Sequence, residues 1–145
     1  MKIKFAGGFL PYIYKLDPNA FEGTLQLGKQ QGPYVLVKNE DIPLLRHEEH
    51  HIKQFYALLA VIAGIATAAS FFMMPALYWL ALPVAGVLYV PYVDFRKEAS
   101  AYAVSVANGR ELESAASALS RHRYAKGDMD LARNAINGKF ILGLF

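Results

Sequence analysis

His47-Glu48-Glu49-His50-His51 is the stretch that decides the reading of this chain. In register it is His-Glu-x-x-His, with His47 and His51 as the two histidines and Glu48 beside the first. On a helix, residues four apart lie on one face, one turn above the other. Two imidazoles so placed can grip one Zn2+, and the neighbouring carboxylate then faces the water beside the metal. The motif therefore predicts a helix with His47 and His51 as metal ligands and Glu48 as general base. His50 is one position from His51, points about 100° away and belongs to another face of the helix. The plainer reading of the same five residues is a polar helix turn with solvated histidines.

Downstream of the motif the character of the chain changes. From Gln54 to Val93 no residue carries a charge. A bilayer core takes about 20 apolar residues per helix. Two such runs, Phe55 to Met74 and Ala76 to Val93, are separated by Met74-Pro75 and predict a hydrophobic helical hairpin over 55–93. Tyr56, Tyr89 and Tyr92 fall near one end, where an aromatic belt would sit. Pro83 and Pro91 would kink the second arm, which membrane helices tolerate. Lys53, Arg96 and Lys97 flank the hairpin while its turn is uncharged, so an inserted hairpin would place both flanks in the cytoplasm. The alternative is a hairpin buried against protein, in a homo-oligomer or other assembly.

A catalytic zinc site keeps three protein ligands and one open position. Cysteine is absent, so the third ligand must be His, Asp or Glu. Asp94 and Glu98 are the first acids beyond the hairpin. A hairpin that returns the chain to its starting side brings Glu98 back beside His47 and His51. Ala99, Ser100, Ala101 and Ala103 follow it, small enough to let its helix pack closely on the first. Glu98 is accordingly the expected third ligand and Asp94 the next candidate.

The 145 residues suffice for a single domain, 1–145. The formal charge of +3 comes without any run of Lys or Arg, so nucleic acid is not indicated as a partner. Hydrophobic residues make up 54%, high for a small soluble domain. The N-terminus has no small-residue cleavage site after its apolar run and reads as part of the mature fold. Residues 1–40 predict strands and turns. Gly7-Gly8, Asp17-Pro18 and Gly32-Pro33 are turn signals, Thr24-Leu25-Gln26-Leu27 alternates, and Tyr34 to Val37 is β-rich. A strand edge near the motif could hold an extended peptide by strand addition. The first helix should begin near Asp41 to Pro43 and run through the motif. Further helices are expected over Glu98 to Asn108, Glu111 to Arg123 and Met129 to Ile136, with Gly109 and Gly138 as stops and Asp128 as a cap. Phe140 to Phe145 is an apolar tail in need of a docking surface. The fold class is α+β and mainly helical.

These residues resemble the gluzincin pattern, two histidines from one helix and a glutamate from the next: His47-Glu48-Glu49-His50-His51, then Phe95-Arg96-Lys97-Glu98-Ala99-Ser100-Ala101-Tyr102-Ala103. The arrangement is similar to membrane gluzincin peptidases of the CAAX prenyl protease and heat-shock membrane peptidase type, where a hydrophobic hairpin lies between the two motifs. It also resembles short zincin-like proteins of bacteriophages, through Thr24-Leu25-Gln26-Leu27-Gly28, Leu44-Leu45-Arg46-His47-Glu48 and the Glu-x-x-Ala-Tyr-Ala segment from Glu98. The resemblance covers about residues 24–108 and implies a minimal zincin-like fold. It further implies a Zn2+ cofactor, a peptide or protein substrate, and peptide-bond hydrolysis with Glu48 as base. The membrane gluzincins carry an aspartate four residues after the ligand glutamate, which orients the first histidine; this chain has Tyr102 there. For the residue that steadies the oxyanion, or supports the ligands, the candidates are Tyr102, His122 and Tyr124.

Three readings follow. The first is a small membrane-associated zinc metallopeptidase with its site on the cytoplasmic side. The second is a structural or virion protein that keeps the zincin fold while its hairpin packs in an assembly. The third is a membrane-inserting protein with an accidental histidine cluster.

Overall fold

The computed structural model describes residues 1–20, 28–71 and 90–138, together with Trp79, Pro83 and Gly86. Strand β1 (Lys2–Ala6) turns through Gly7 and Gly8, both at positive φ, into β2 (Leu10–Leu16). Strand β3 (Gly28–Gln31) turns through Gly32-Pro33 into β4 (Tyr34–Val37). Gly32 sits at φ +59°, as the first central residue of a tight II′-type hairpin requires. The sheet order is β1-β2-β4-β3, with β2 parallel to β4 and the outer pairs antiparallel. Among the described residues β3 is therefore an edge strand, and Gln30 pairs with Val35 on its inner side.

One sheet face is apolar because alternate residues point the same way. Tyr12, Tyr14, Val35 and Val37 are buried there against Leu44 and Ile52 of helix α1 (Ile42–Phe71). Phenol groups secure this packing. Tyr12 donates to Glu49 Oε1 at 2.9 Å, and Tyr56 donates to the Pro11 carbonyl at 2.7 Å. The alternating segment at Thr24 to Leu27 lies outside the described residues.

Helix α1 starts where the sequence predicts and continues without a break into the apolar run. The helix as a whole is long and apolar enough to cross a membrane, by length and composition, and only 6% of its most apolar 18-residue window is buried. Leu59, Val61 and Phe71 are exposed along it. The second arm of the expected hairpin and the C-terminal apolar tail fall mainly outside the described residues.

Helix α2 (Pro91–Ala107) begins earlier than the sequence suggests, because Pro91 occupies its first turn, where a fixed φ and a missing N–H cost nothing. It runs antiparallel to α1. Ser105 Oγ donates to the Pro43 carbonyl at 3.0 Å, Ser100 meets His50, and Glu98 meets His51, so contacts ascend one helix while descending the other. α2 ends in a Schellman motif. Arg110 N–H bonds to Ser105 O and Gly109 N–H to Val106 O, with Gly109 at φ +102°.

Helix α3 (Leu112–Ser120) stops short of the expected Arg123. Gly127 N–H reaches back to the Ser120 carbonyl at 2.7 Å and closes a turn over 121–127. Helix α4 (Met129–Asn137) is capped by Asp128, whose Oδ1 accepts from Leu131 N–H at 2.8 Å. Phe95, Ala99, Ala115, Ala116, Leu119, Ala132 and Ile136 form a second core among α2, α3 and α4. The fold is thus α+β: a small sheet on one side of α1, a helical cluster built on α2 on the other, and a cleft between them.

Candidate metal centre

Helix α1 presents His47 and His51 one turn apart toward α2, and α2 presents Glu98 toward α1. His47 Nε2 and His51 Nε2 lie 3.2 Å apart. Glu98 Oε2 is 3.5 Å from His47 Nε2, and Glu98 Oε1 is 3.3 Å from His51 Nε2. Zinc–nitrogen bonds of 2.0–2.1 Å at tetrahedral angles place ligand atoms about 3.3 Å apart. The three side chains therefore converge at the spacing of one tetrahedral face, and as a group they could hold a metal ion. The donor set fits a borderline cation such as zinc, and the cleft supplies an open side.

Electrostatics follow from this crowding. Burial pulls His47 below the ordinary imidazole range, partly offset by its hydrogen bond to Glu98, and so favours the neutral, ligating form. Burial alone would raise the Glu98 carboxyl. The hydrogen bonds from His47 and His51 outweigh it and hold Glu98 well below the usual carboxylate range. Glu48 is buried, with Oε2 lacking a hydrogen-bond partner, and desolvation pushes its carboxyl up to about 7. A carboxyl poised near neutrality in a cleft is suited to take and return a proton.

The two histidines are held differently. His51 Nδ1 meets Gln54 Oε1 at 2.9 Å, and Gln54 in turn donates to Ser100 Oγ at 3.0 Å. With Nδ1–H donated to that amide, Nε2 is the atom His51 turns toward Glu98, donating to the carboxylate here and free to ligate a metal once that proton is lost. His47 Nδ1 is buried without a hydrogen-bond partner. Its ring instead packs edge-on against Tyr102, centroids 4.5 Å apart. The aromatic ring thus stands where the resemblance leads one to expect a carboxylate. His50 bonds to Ser100 Oγ at 3.0 Å and supports the α1–α2 seam away from the three converging atoms.

The triad lies in a cleft of about 610 Å³, also lined by Gly28, Gln30, Glu48, Tyr102, Arg110 and His122. Tyr102 and His122 are thereby brought to the cleft. Tyr124 is not: its ring packs on Phe95 and Tyr92 at 5.2 and 5.4 Å. Asp94, the alternative ligand, is engaged by His122 Nε2 at 3.1 Å and Arg123 at 3.4 Å. A Cβ built on Gly28 would lie 2.4 Å from Glu48 Oε1, so the edge strand β3 closes directly over the carboxylate.

Sequence reasoning missed Gln54, Gly28 and Arg110. Gln54 was within reach, since it follows His51 by three positions on the same helix face. Compared with protein-family models, curated proteins and solved structures, the chain finds no match.

Proposed function

We propose that this chain is a small, membrane-associated zinc metallopeptidase of gluzincin type. The observation that carries the reading is the convergence of His47, His51 and Glu98 at tetrahedral spacing with Glu48 buried in the same cleft. When bound, zinc supplies Lewis acidity, which makes water more acidic and a carbonyl more electrophilic. The chain's own residues do the rest. Glu48 takes the proton of the attacking water and passes it to the leaving amine. Its burial raises its proton affinity toward neutrality, which suits it to accept and return a proton. The outer edge of β3, unpaired among the described residues and lining the cleft from Gly28 to Gln30, is suited to hold an extended peptide by main-chain pairing. Tyr102 is the cleft group placed to donate to a developing oxyanion, since His122 Nε2 is engaged by Asp94 and its Nδ1 accepts from Tyr124 N–H.

Membrane association is supported by the length, apolarity and exposure of α1. If the helix inserts, the positive flanks favour the cytoplasmic side for the site. The test pairs metal analysis with activity. The purified chain should carry one zinc, and Glu48→Gln should keep it while peptide cleavage falls about 10²–10⁴-fold. Loss of zinc binding in the parent, or cleavage unchanged in Glu48→Gln, would remove the reading. The second reading is a zincin-fold structural or virion protein with little activity. It is favoured by the unpartnered Nδ1 of His47, because ligand histidines normally donate that N–H to an acceptor. Zinc without cleavage of any peptide would select it.

A further inference from the structure

The cleft is lined by cations as well as acids. The acids Glu48 and Glu98 are committed to the metal site, and Asp94 is held by His122 and Arg123. Arg110 and Arg121 also line the cleft, and among the described residues neither has an ion-pair partner. Arg110 is half-buried rather than extended into water, and its guanidinium lies over the Tyr102 ring at 5.0 Å from the centroid. Tyr102 in turn packs against the ligand His47. A short stack, His47 to Tyr102 to Arg110, therefore sets a cation at a fixed remove from the metal triad.

The backbone holds that cation in place. Arg110 follows the positive-φ Gly109 in the Schellman motif, and its N–H is tied to the Ser105 carbonyl. Ser105 is itself fully buried and bonded to the start of α1 through Pro43. Arg121 stands at the exposed end of α3 and lines the same cleft. Both guanidiniums keep access to the cleft, and a planar anion matches their fork of donors best.

We propose that Arg110 and Arg121 form an anchoring subsite for a carboxylate of the peptide substrate. It is either the free C-terminal carboxylate or an Asp or Glu side chain near the scissile bond. This rests on the peptidase reading, and it deepens that reading to a preference for acidic or C-terminal residues. Arg110 and Arg121 are positioning residues: they hold the substrate, while Glu48 acts on the reacting atoms.

The test measures binding first, so it does not depend on turnover. Zinc-loaded Glu48→Gln chain is titrated calorimetrically with one peptide sequence in three forms: free C-terminus, amidated, and amidated with one internal Gln changed to Glu. At least one carboxylate-bearing form should bind about tenfold or more tightly than the neutral amide, as charge-assisted bonds allow. The advantage should shrink in Arg110→Gln and in the exposed-site variant Arg121→Gln, and Arg110→Lys should restore part of it. Preference lost on amidation identifies the C-terminal carboxylate. Preference regained with Glu identifies the side chain. In the active chain the same substitutions should raise KM for the acidic peptide more than they lower kcat. Equal binding of all three forms, or a preference untouched in both Arg variants, would overturn the proposal. So would an equal fall in kcat for acidic and neutral peptides, which would make Arg110 an oxyanion donor instead. A chain that binds acidic peptides but cleaves none would leave the subsite standing and remove the peptidase.

Discussion

Gln54 places its side-chain oxygen 2.9 Å from Nδ1 of His51, while its nitrogen reaches Ser100 Oγ at 3.0 Å on the facing helix. One amide thus bridges His51 of the candidate metal site and the seam between α1 and α2. Replacing such outer partners typically lowers metal affinity about 10–100-fold. Gln54→Leu should show a loss of that size in competition with a chelator of known affinity, with helix content by circular dichroism preserved. An unchanged affinity would mean that His51 takes its orientation from elsewhere.

Glu98→Ala should abolish stoichiometric zinc binding. Asp94 lies in the same cleft but is occupied by His122 and Arg123, so it should not take over. Metal analysis after gel filtration gives the answer. One zinc still bound to Glu98→Ala would move the third ligand to another group.

Gly28→Ala should lower kcat at least tenfold while leaving zinc content at one per chain. The added methyl would stand 2.4 Å from Glu48 Oε1, closer than any real contact, so the carboxylate or β3 must shift. Overpacking of this kind also costs about 1–3 kcal/mol of stability, readable in denaturant unfolding. A variant as active and stable as the parent would show that Glu48 is not held by the strand.

Metal removal should lower Tm. A ligand that binds only the folded state adds about 2.7 kcal/mol of stability at a free concentration one hundred times its Kd. EDTA should therefore shift the parent's thermal transition downward and leave that of Glu98→Ala where it was. Coincident transitions for the parent with and without EDTA would contradict a metal linked to folding.

The positive flanks predict that Lys53 faces the cytoplasm and that Met74 lies across the membrane. In intact cells, a membrane-impermeant thiol reagent should label Met74→Cys and spare Lys53→Cys. The reverse pattern would refute the orientation, and a chain that stays soluble without detergent or partners would refute insertion.

Much of this arrangement could be read from the residues. His-Glu-x-x-His needs only helical periodicity to put His47 and His51 on one face, and Gly109 and Asp128 mark helix ends through rules that act within a few residues. Glu98 was reachable because the sequence has few acids to choose from after the motif. Other features depend on contacts between distant segments. β3 was unread because Gly-Lys-Gln-Gln has weak strand preference and is held in place by pairing with β4. The early start of α2 was hidden because Val90-Pro91 looks like the end of the apolar run rather than a helix opening. The exclusion of Tyr124 from the cleft depends on its packing against Phe95 and Tyr92, and the role of Arg110 on a turn eight residues beyond Tyr102, neither of which leaves a pattern in sequence.

Helix α1 is unbroken from His47 and His51 into the apolar arm. Phe55, where the apolar run begins, follows His51 by a single turn, about 6 Å of rise. With that arm in lipid, the helix becomes a ruler: it fixes the altitude of the cleft just above the bilayer surface. A peptide bond would then be selected by its height as well as its chemistry. Segments emerging beside a membrane anchor would come within reach, and loops held far out in the aqueous phase would not.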